Sequence, residues 1–410
     1  MDRLISVAGL VCFLLIAYAL SESRKDIKWK TIITGVGLQI LFGVLILKSD
    51  LGLYIFNFLN NLFTEILSFT HIGTDFVFGK LNNPKEMGFI IFTMVLPSII
   101  FMSALMSVLY HIGFMQLIIR AFAWIMVRVM GTSGAESLAA AANIFSGQTE
   151  APLVVRPYLN KMTHSEIMAL MTGGMATVAG GVFAAYVGMG IDAGHLLAAS
   201  VMSAPAALVC AKLMVPETST PLTRGSVNME IEKKSFNIID AATHGAAEGL
   251  KLALNVGAML LVFIAFVAMF NGILGWFGQV IGLEKALSFE RIFGFLFSPI
   301  AFLLGIDWSE STAVGQLLGK KLVLNEFVAY KDLQQHIREG TLSPRAIAIS
   351  TYALCGFANF GSIAIQVGGI GGLAPERRED FAKLGVKCLI GGTLACLMTA
   401  HGYVLSFDQL

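Results

Sequence analysis

Two glutamates sit where an apolar chain has little use for a charge. Glu150, within Gly147-Gln148-Thr149-Glu150-Ala151-Pro152, and Glu326, within Asn325-Glu326-Phe327-Val328-Ala329-Tyr330, each lie in a stretch apolar enough to be buried at membrane depth. Each follows a Glu-Ser pair, Glu136-Ser137 and Glu310-Ser311, that opens its segment. A carboxylate inside a bilayer costs several kcal/mol, so by default it marks a functional site. Two at matching places in two halves of a chain predict one site built from two repeats. That arrangement belongs to secondary transporters.

The surroundings agree. Of 410 residues, 56% are hydrophobic and 13% charged, whereas a soluble domain carries about 25% charged residues. The chain therefore reads as a polytopic membrane protein in contact with lipid. A net charge of +1 leaves no basic face to neutralise phosphates, which excludes nucleic acid as a partner. The five cysteines (Cys12, Cys210, Cys355, Cys388, Cys396) lack CxxC spacing and read as small buried hydrophobes.

The apolar runs predict an all-α fold of about eight transmembrane helices plus two re-entrant hairpins, with interfacial helices. Leu4–Leu20 is a retained span, because its positive charges (Arg24, Lys25, Lys28, Lys30) follow it; residues 21–30 are then cytoplasmic. A second span covers about Thr31–Leu47, and residues 51–79 suit an amphipathic helix in the interface. Gly88–Ile119, 32 residues long, reads as one tilted span. Gly131–Tyr158, small and polar, fits two half-helices meeting at a polar tip. A Gly-broken span (Ile167–Met189) and a plain span (Leu196–Met214) follow, before a polar linker over residues 216–235.

The second half repeats the order: a central span at about Gly249–Phe277, an interfacial stretch near Phe289–Ile306, a hairpin with Asn325-Glu326 at its tip, a broken span (Ile347–Gly369) and a final span (Phe381–Leu405). An odd number of crossings separates the hairpins, so they enter from opposite faces as an inverted repeat.

Broken helices supply the chemistry. Their freed N–H ends attract acceptors, and their freed carbonyls can coordinate a cation. Gln148 and Thr149 offer donors and acceptors to the edge of a neutral heterocycle, or else cap the second arm of the hairpin. Glu150 and Glu326 are strong acceptors for hydroxyl groups such as those of a sugar. Asn359 and Ser362, three apart, add hydrogen bonds, and Phe357 can cover an aromatic face. Glu136 and Glu310 read as partners of half-helix N-termini. An intramembrane enzyme would need a nucleophile beside a base, or HExxH, and neither occurs. A carrier of anions would place arginine or lysine at the tips.

Gly147-Gln148-Thr149-Glu150-Ala151-Pro152, Gly319-x-Lys321-x-x-x-Asn325-Glu326-Phe327-Val328-Ala329-Tyr330 and Gly356-Phe357-Ala358-Asn359 resemble the signatures of the concentrative nucleoside transporter family, of the bacterial, sodium-coupled type. The resemblance spans nearly the whole chain. It implies a homotrimer in the bacterial inner membrane, with both termini periplasmic and an elevator-like transport domain moving against a scaffold. It divides the chain into scaffold (1–119 and a central span, 248–280), transport-domain repeats (120–215 and 281–410) and a cytoplasmic linker (216–247).

The resemblance also assigns residues. Gln148, Thr149 and Val182 face the nucleobase, Leu252 packs against it, and Glu150 reaches it through water. Glu326, Asn359 and Ser362 bind the ribose, with Asn325 close by and Phe357 on the nucleoside. Asn143, Thr177 and the carbonyls of Ser146 and Val178 hold a sodium ion, the coupling ion. The implied function is sodium-nucleoside symport. Two alternatives stay open: a proton-coupled nucleoside symporter, and an elevator-type carrier of another small hydroxylated metabolite.

Overall fold

Helix breaks, more than helix lengths, organise this chain. The computed structural model describes residues 2–88, 90–225, 235–282 and 287–406, and its named elements are all helical. Parts of the predicted linker (Lys233 and Lys234 among them), the start of the second repeat at 283–286 and both chain ends lie outside the described residues.

The first half runs α1 (Asp2–Ala19), α2 (Trp29–Leu47), α3 (Asp50–Phe78), α4 (Pro84–Met87), α5 (Ile91–Met94), α6 (Leu96–His111) and α7 (Phe114–Met130). Hairpin 1 consists of α8 (Gly134–Asn143) and α9 (Ala151–Val154); α10 (His164–Ala176), α11 (Gly180–Gly188) and α12 (Ala193–Met214) follow. The second half runs α13 (Ile238–Val280), α14 (Phe289–Leu303), hairpin 2 as α15 (Trp308–Val323) and α16 (Glu326–Glu339), then α17 (Pro344–Leu354), α18 (Phe360–Leu373) and α19 (Arg378–Ser406). From α7 to α12 and from α14 to α19 the order is the same: helix, hairpin, broken span, plain span. Among the described residues, six of the eight expected spans are long and apolar enough to cross a membrane; the other two are α1, apolar over Ile5–Ala19, and the broken α17–α18.

Three expectations need correction. The stretch from Gly88 to Ile119 is not one tilted span. It ends at His111, and Gly113 (φ +87°) turns the chain into α7, because a left-handed residue without a Cβ costs nothing there. The central span begins well before Gly249, since 238–247 of the expected linker is already helical. Its 43 residues make about 65 Å of helix, roughly twice the ~30 Å hydrocarbon thickness. Hairpin 1 is also lopsided: its return arm is the four-residue α9 followed by 3-10 turns over Arg156–Lys161.

Burial separates two environments. The α12 window is 94% buried, and the α13 window only 11%. Small residues (Ala198, Ala199, Ala206, Ala207, Ala211) let neighbours approach α12 closely. Polar pins add direction: Gln39 on α2 donates to Thr399 on α19 (3.3 Å), and Thr399 pairs with Ser203 on α12 (3.1 Å). Such interhelical bonds average about 0.6 kcal/mol in membranes, so close packing supplies most of the stability.

Candidate functional site

Each hairpin is anchored at its base by the Glu-Ser pair that the sequence singled out. Glu136 forms a capping box with Ser133 and an ion pair with buried Lys212 of α12 (2.5 Å). Ser133 also donates to Glu166 of α10 (2.5 Å), and Lys212 lies 3.5 Å from Glu217. Glu310 takes the backbone N–H and hydroxyl of Ser343 (2.6 and 2.8 Å). It thus serves the N-terminus of α17, not that of its own helix. Anchored bases leave the tips to converge.

Glu326 is the centre of that convergence. It is the first residue of α16, 4% exposed, where the positive end of a helix dipole stabilises a carboxylate. Tyr186 of α11 donates to Oε1 (2.9 Å) and Asn359 donates to Oε2 (3.2 Å). Asn359 caps α18 by accepting from Ser362 N–H (2.9 Å), so the N-termini of two half-helices meet at one carboxylate. Asn325 is committed elsewhere: its Oδ1 caps α16 through Val328 N–H (2.9 Å).

Hairpin 1 closes on the same place. Gln148 donates to Ser362 Oγ (3.1 Å) and accepts from Gln366 of α18 (3.1 Å). It therefore does not cap the return arm. Thr149 lies against Gly369 of α18, Val182 is buried on α11, and Leu252 of α13 reaches Gly181 beside it. Phe357 is half-buried, and its N–H donates to Thr177 O (3.1 Å), which ties the breaks of the two broken spans together. Glu150 departs from expectation. It is exposed, as is Thr149, because the chain turns over Gly147 and folds the carboxylate back onto the Gly147 N–H (3.0 Å). The two glutamates are not equivalent: one is enclosed and the other lies at a rim.

Helix ends of the opposite polarity gather around Asn143. It is the last residue of α8, and Thr177 is the C-cap of α10. Negative dipole ends favour a cation. Asn143 is 1% exposed, and neither its Oδ1 nor its Nδ2 has a hydrogen-bond partner. An unsatisfied buried amide costs about 1–3 kcal/mol, and an oxygen-seeking cation would satisfy the Oδ1. Thr177 Oγ1 donates to Gly173 O (3.0 Å), leaving its lone pairs as acceptors. Ser146 pairs with Tyr110 through their hydroxyls, and Val178 is buried at the break. The residues present fit a small monovalent cation.

Tyr186 and Gln366 were missed. Tyr186 stands four residues after Val182, on the same helix face, and Gln366 four after Ser362. A glutamine within the apolar run Phe360–Leu373 was the available signal; Tyr186 had none beyond that spacing.

Buried polar groups gathered at helix breaks among apolar spans define a membrane carrier with a closed central site. Three family descriptions match the chain: Na+ dependent nucleoside transporter N-terminus over residues 8–81, Nucleoside recognition over 92–193, and Na+ dependent nucleoside transporter C-terminus over 195–402. An uncharacterized transporter of Haemophilus influenzae is 45% identical over 98% of this chain and 97% of its own length. Human solute carrier family 28 member 3 is 42% identical over 97% of this chain, which spans 59% of that longer protein. The solved structure of CNTnw in an inward-facing substrate-bound state superposes with a TM-score of 0.93 at 44% identity, covering 99% of this chain and 98% of that one. A CNTnw variant in an outward-facing state superposes equally well (TM-score 0.93, 43% identity, 99% and 98% covered).

The chain belongs to the concentrative, Na+-dependent nucleoside transporter family. It is a multi-pass membrane transporter rather than an enzyme, of a family that works by alternating access with sodium as coupling ion.

Proposed function

We propose that this protein is a sodium-nucleoside symporter that imports uridine, other pyrimidine nucleosides and purine nucleosides by an elevator-like movement. The single observation that carries the reading is the enclosed Glu326 carboxylate. It is held by donors from α11 and α18, beside a glutamine from the opposite half of the chain. Glu326, Asn359 and Ser362 bind the ribose hydroxyls, with Asn325 holding the helix end that carries Glu326. Gln148, Thr149 and Val182 meet the base; Leu252 and Phe357 cover it, and Glu150 acts from the rim through water.

Sodium binds at Asn143, Thr177 and the backbone of Ser146 and Val178. The unpartnered Asn143 amide and the two helix C-termini support that placement. The hairpins, broken spans, α12 and α19 move as the transport domain, formed by inverted repeats over 120–215 and 281–410. The 1–119 and 248–280 segments form the scaffold.

The exposed apolar side chains of α13, such as Leu254, Leu261, Ile264 and Met269, call for cover by lipid or other copies. This supports a homotrimer around α13 in the bacterial inner membrane, with periplasmic termini. Uptake of labelled uridine, adenosine and thymidine into proteoliposomes, with and without an inward sodium gradient, tests the reading. Gradient-independent uptake, or none, would overturn it.

A further inference from the structure

The base end of the site contains a side chain that no part of this reading uses. Gln366 is fully buried, and its Nε2 lies 3.0 Å from Met171 O and 3.1 Å from Gln148 Oε1. The two ends of a glutamine amide are distinguished by their partners. A backbone carbonyl only accepts, so the atom facing Met171 O must be the Gln366 NH2 group. That group also faces Gln148, which must present its own carbonyl oxygen in return. The Gln148 NH2 is thereby turned toward Ser362 and the substrate space.

The polarity is thus dictated from the backbone of α10 outward: Met171 carbonyl, Gln366 amide, Gln148 amide. Gly174 makes the approach possible. A Cβ there would stand 2.7 Å from Gln366 Nε2 and 2.9 Å from Gln148 Cβ. The arrangement carries a cost, because Gln366 Oε1 is buried without a hydrogen-bond partner. A buried acceptor left without a partner calls for an explanation, and a group held for the orientation of its other end supplies one.

We propose that Gln366 is a positioning residue that fixes the amide polarity of Gln148, so that the base subsite offers an N–H donor and favours a keto over an amino nucleobase. This rests on the nucleoside reading above. Uridine and cytidine present opposite groups at the exocyclic position, an oxygen that accepts and an amine that donates. A fixed donor at Gln148 satisfies the first and leaves the second opposed.

The test uses the full-length protein in detergent and compares equilibrium binding of uridine, cytidine and 2′-deoxyuridine. Gln366→Glu keeps the shape and leaves only an acceptor facing Gln148, whether the carboxyl is ionised or spends its single O–H on Met171 O, so Gln148 turns its NH2 toward position 366 and its oxygen toward the base. The uridine-to-cytidine affinity ratio is expected to move toward cytidine by roughly fivefold, the worth of one neutral hydrogen bond. Gln366→Met frees the amide to rotate and should bring the ratio toward unity. In both variants the penalty for 2′-deoxyuridine should stay close to that of the starting protein, since Glu326 and Asn359 are untouched and the Ser362 hydroxyl, which now accepts from Gln148, can rotate to donate to it instead; general loosening of the fold would lower that penalty too. A folded Gln366→Met protein with an unchanged ratio, or a Gln366→Glu protein moved toward uridine, overturns the proposal. Loss of all nucleoside binding by the unsubstituted protein would instead refute the function on which it rests.

Discussion

Tyr186 and Glu326 stand 140 residues apart in sequence, and the phenol of one donates to Oε1 of the other at 2.9 Å. Tyr186 is fully buried, its ring centroid 4.4 Å from that of Tyr330 on α16. The contact joins the broken span of one half to the hairpin of the other. It also fixes which lone pairs of Glu326 remain for a ligand.

Tyr186→Phe preserves the packed ring and removes that donor. A hydrogen bond to a charged group contributes about 1.5–3 kcal/mol. Because the bond is already made without a ligand, its loss should lower thermal stability in detergent, and nucleoside affinity should fall as the carboxylate loses its fixed orientation. Calorimetric titration checks this, and an unaltered Kd would show that Tyr186 does not orient the carboxylate.

Glu326→Gln replaces the carboxylate with an amide of the same size. Ribose hydroxyls lose a charged acceptor, so affinity should drop roughly 10- to 150-fold while the protein stays folded. A 2′,3′-dideoxy nucleoside should bind the unsubstituted protein poorly for the same reason. Normal uridine affinity in folded Glu326→Gln protein would remove Glu326 from the site.

Asn143→Ala deletes the buried amide at the C-terminus of α8. Sodium dependence of uptake should weaken before sugar recognition changes. One sodium ion gains about 2.3 kcal/mol in ~100 mV, and a tenfold gradient adds about 1.4 kcal/mol, which together support roughly 500-fold accumulation of a neutral nucleoside. Linkage further requires sodium to tighten nucleoside binding by the factor that nucleoside tightens sodium binding. Proton-driven uptake, indifferent to sodium and to Asn143→Ala, would refute the ion site and leave the nucleoside site standing.

Lys212→Met leaves Glu136 and Glu217 without their buried cation. Breaking such a pair costs about 3–5 kcal/mol, so the melting temperature should fall sharply. Lys212→Met combined with Glu136→Gln should recover part of the loss. Equal melting temperatures for the single variant and the unsubstituted protein would show that the cluster contributes no stability.

The hairpins are predicted to open to opposite sides. In protein freed of its native cysteines, a cysteine at exposed Asn160 should label from the cytoplasm and one at exposed Gln335 from outside. Labelling of both from a single side would rule out the inverted repeat.

Hydropathy and helix-breaking residues alone located most of the spans, both breaks and the tip motifs, though not the turn at Gly113 or the early start of α13. Those properties are local: an apolar run of ~20 residues and a glycine or asparagine that ends a helix act wherever they stand. Glu326, Asn359 and Ser362 were legible for the same reason, as polar groups at breaks within apolar sequence. Tertiary structure alone separated enclosed Glu326 from rim-exposed Glu150, since burial depends on what the folded tip rests against. It also decided that Tyr186 meets Glu326 and that Gln366 orients Gln148. Those pairs are separated by 140 and 218 residues. A hydrogen bond over such a distance is set by how helices pack, and no periodicity along the chain records it.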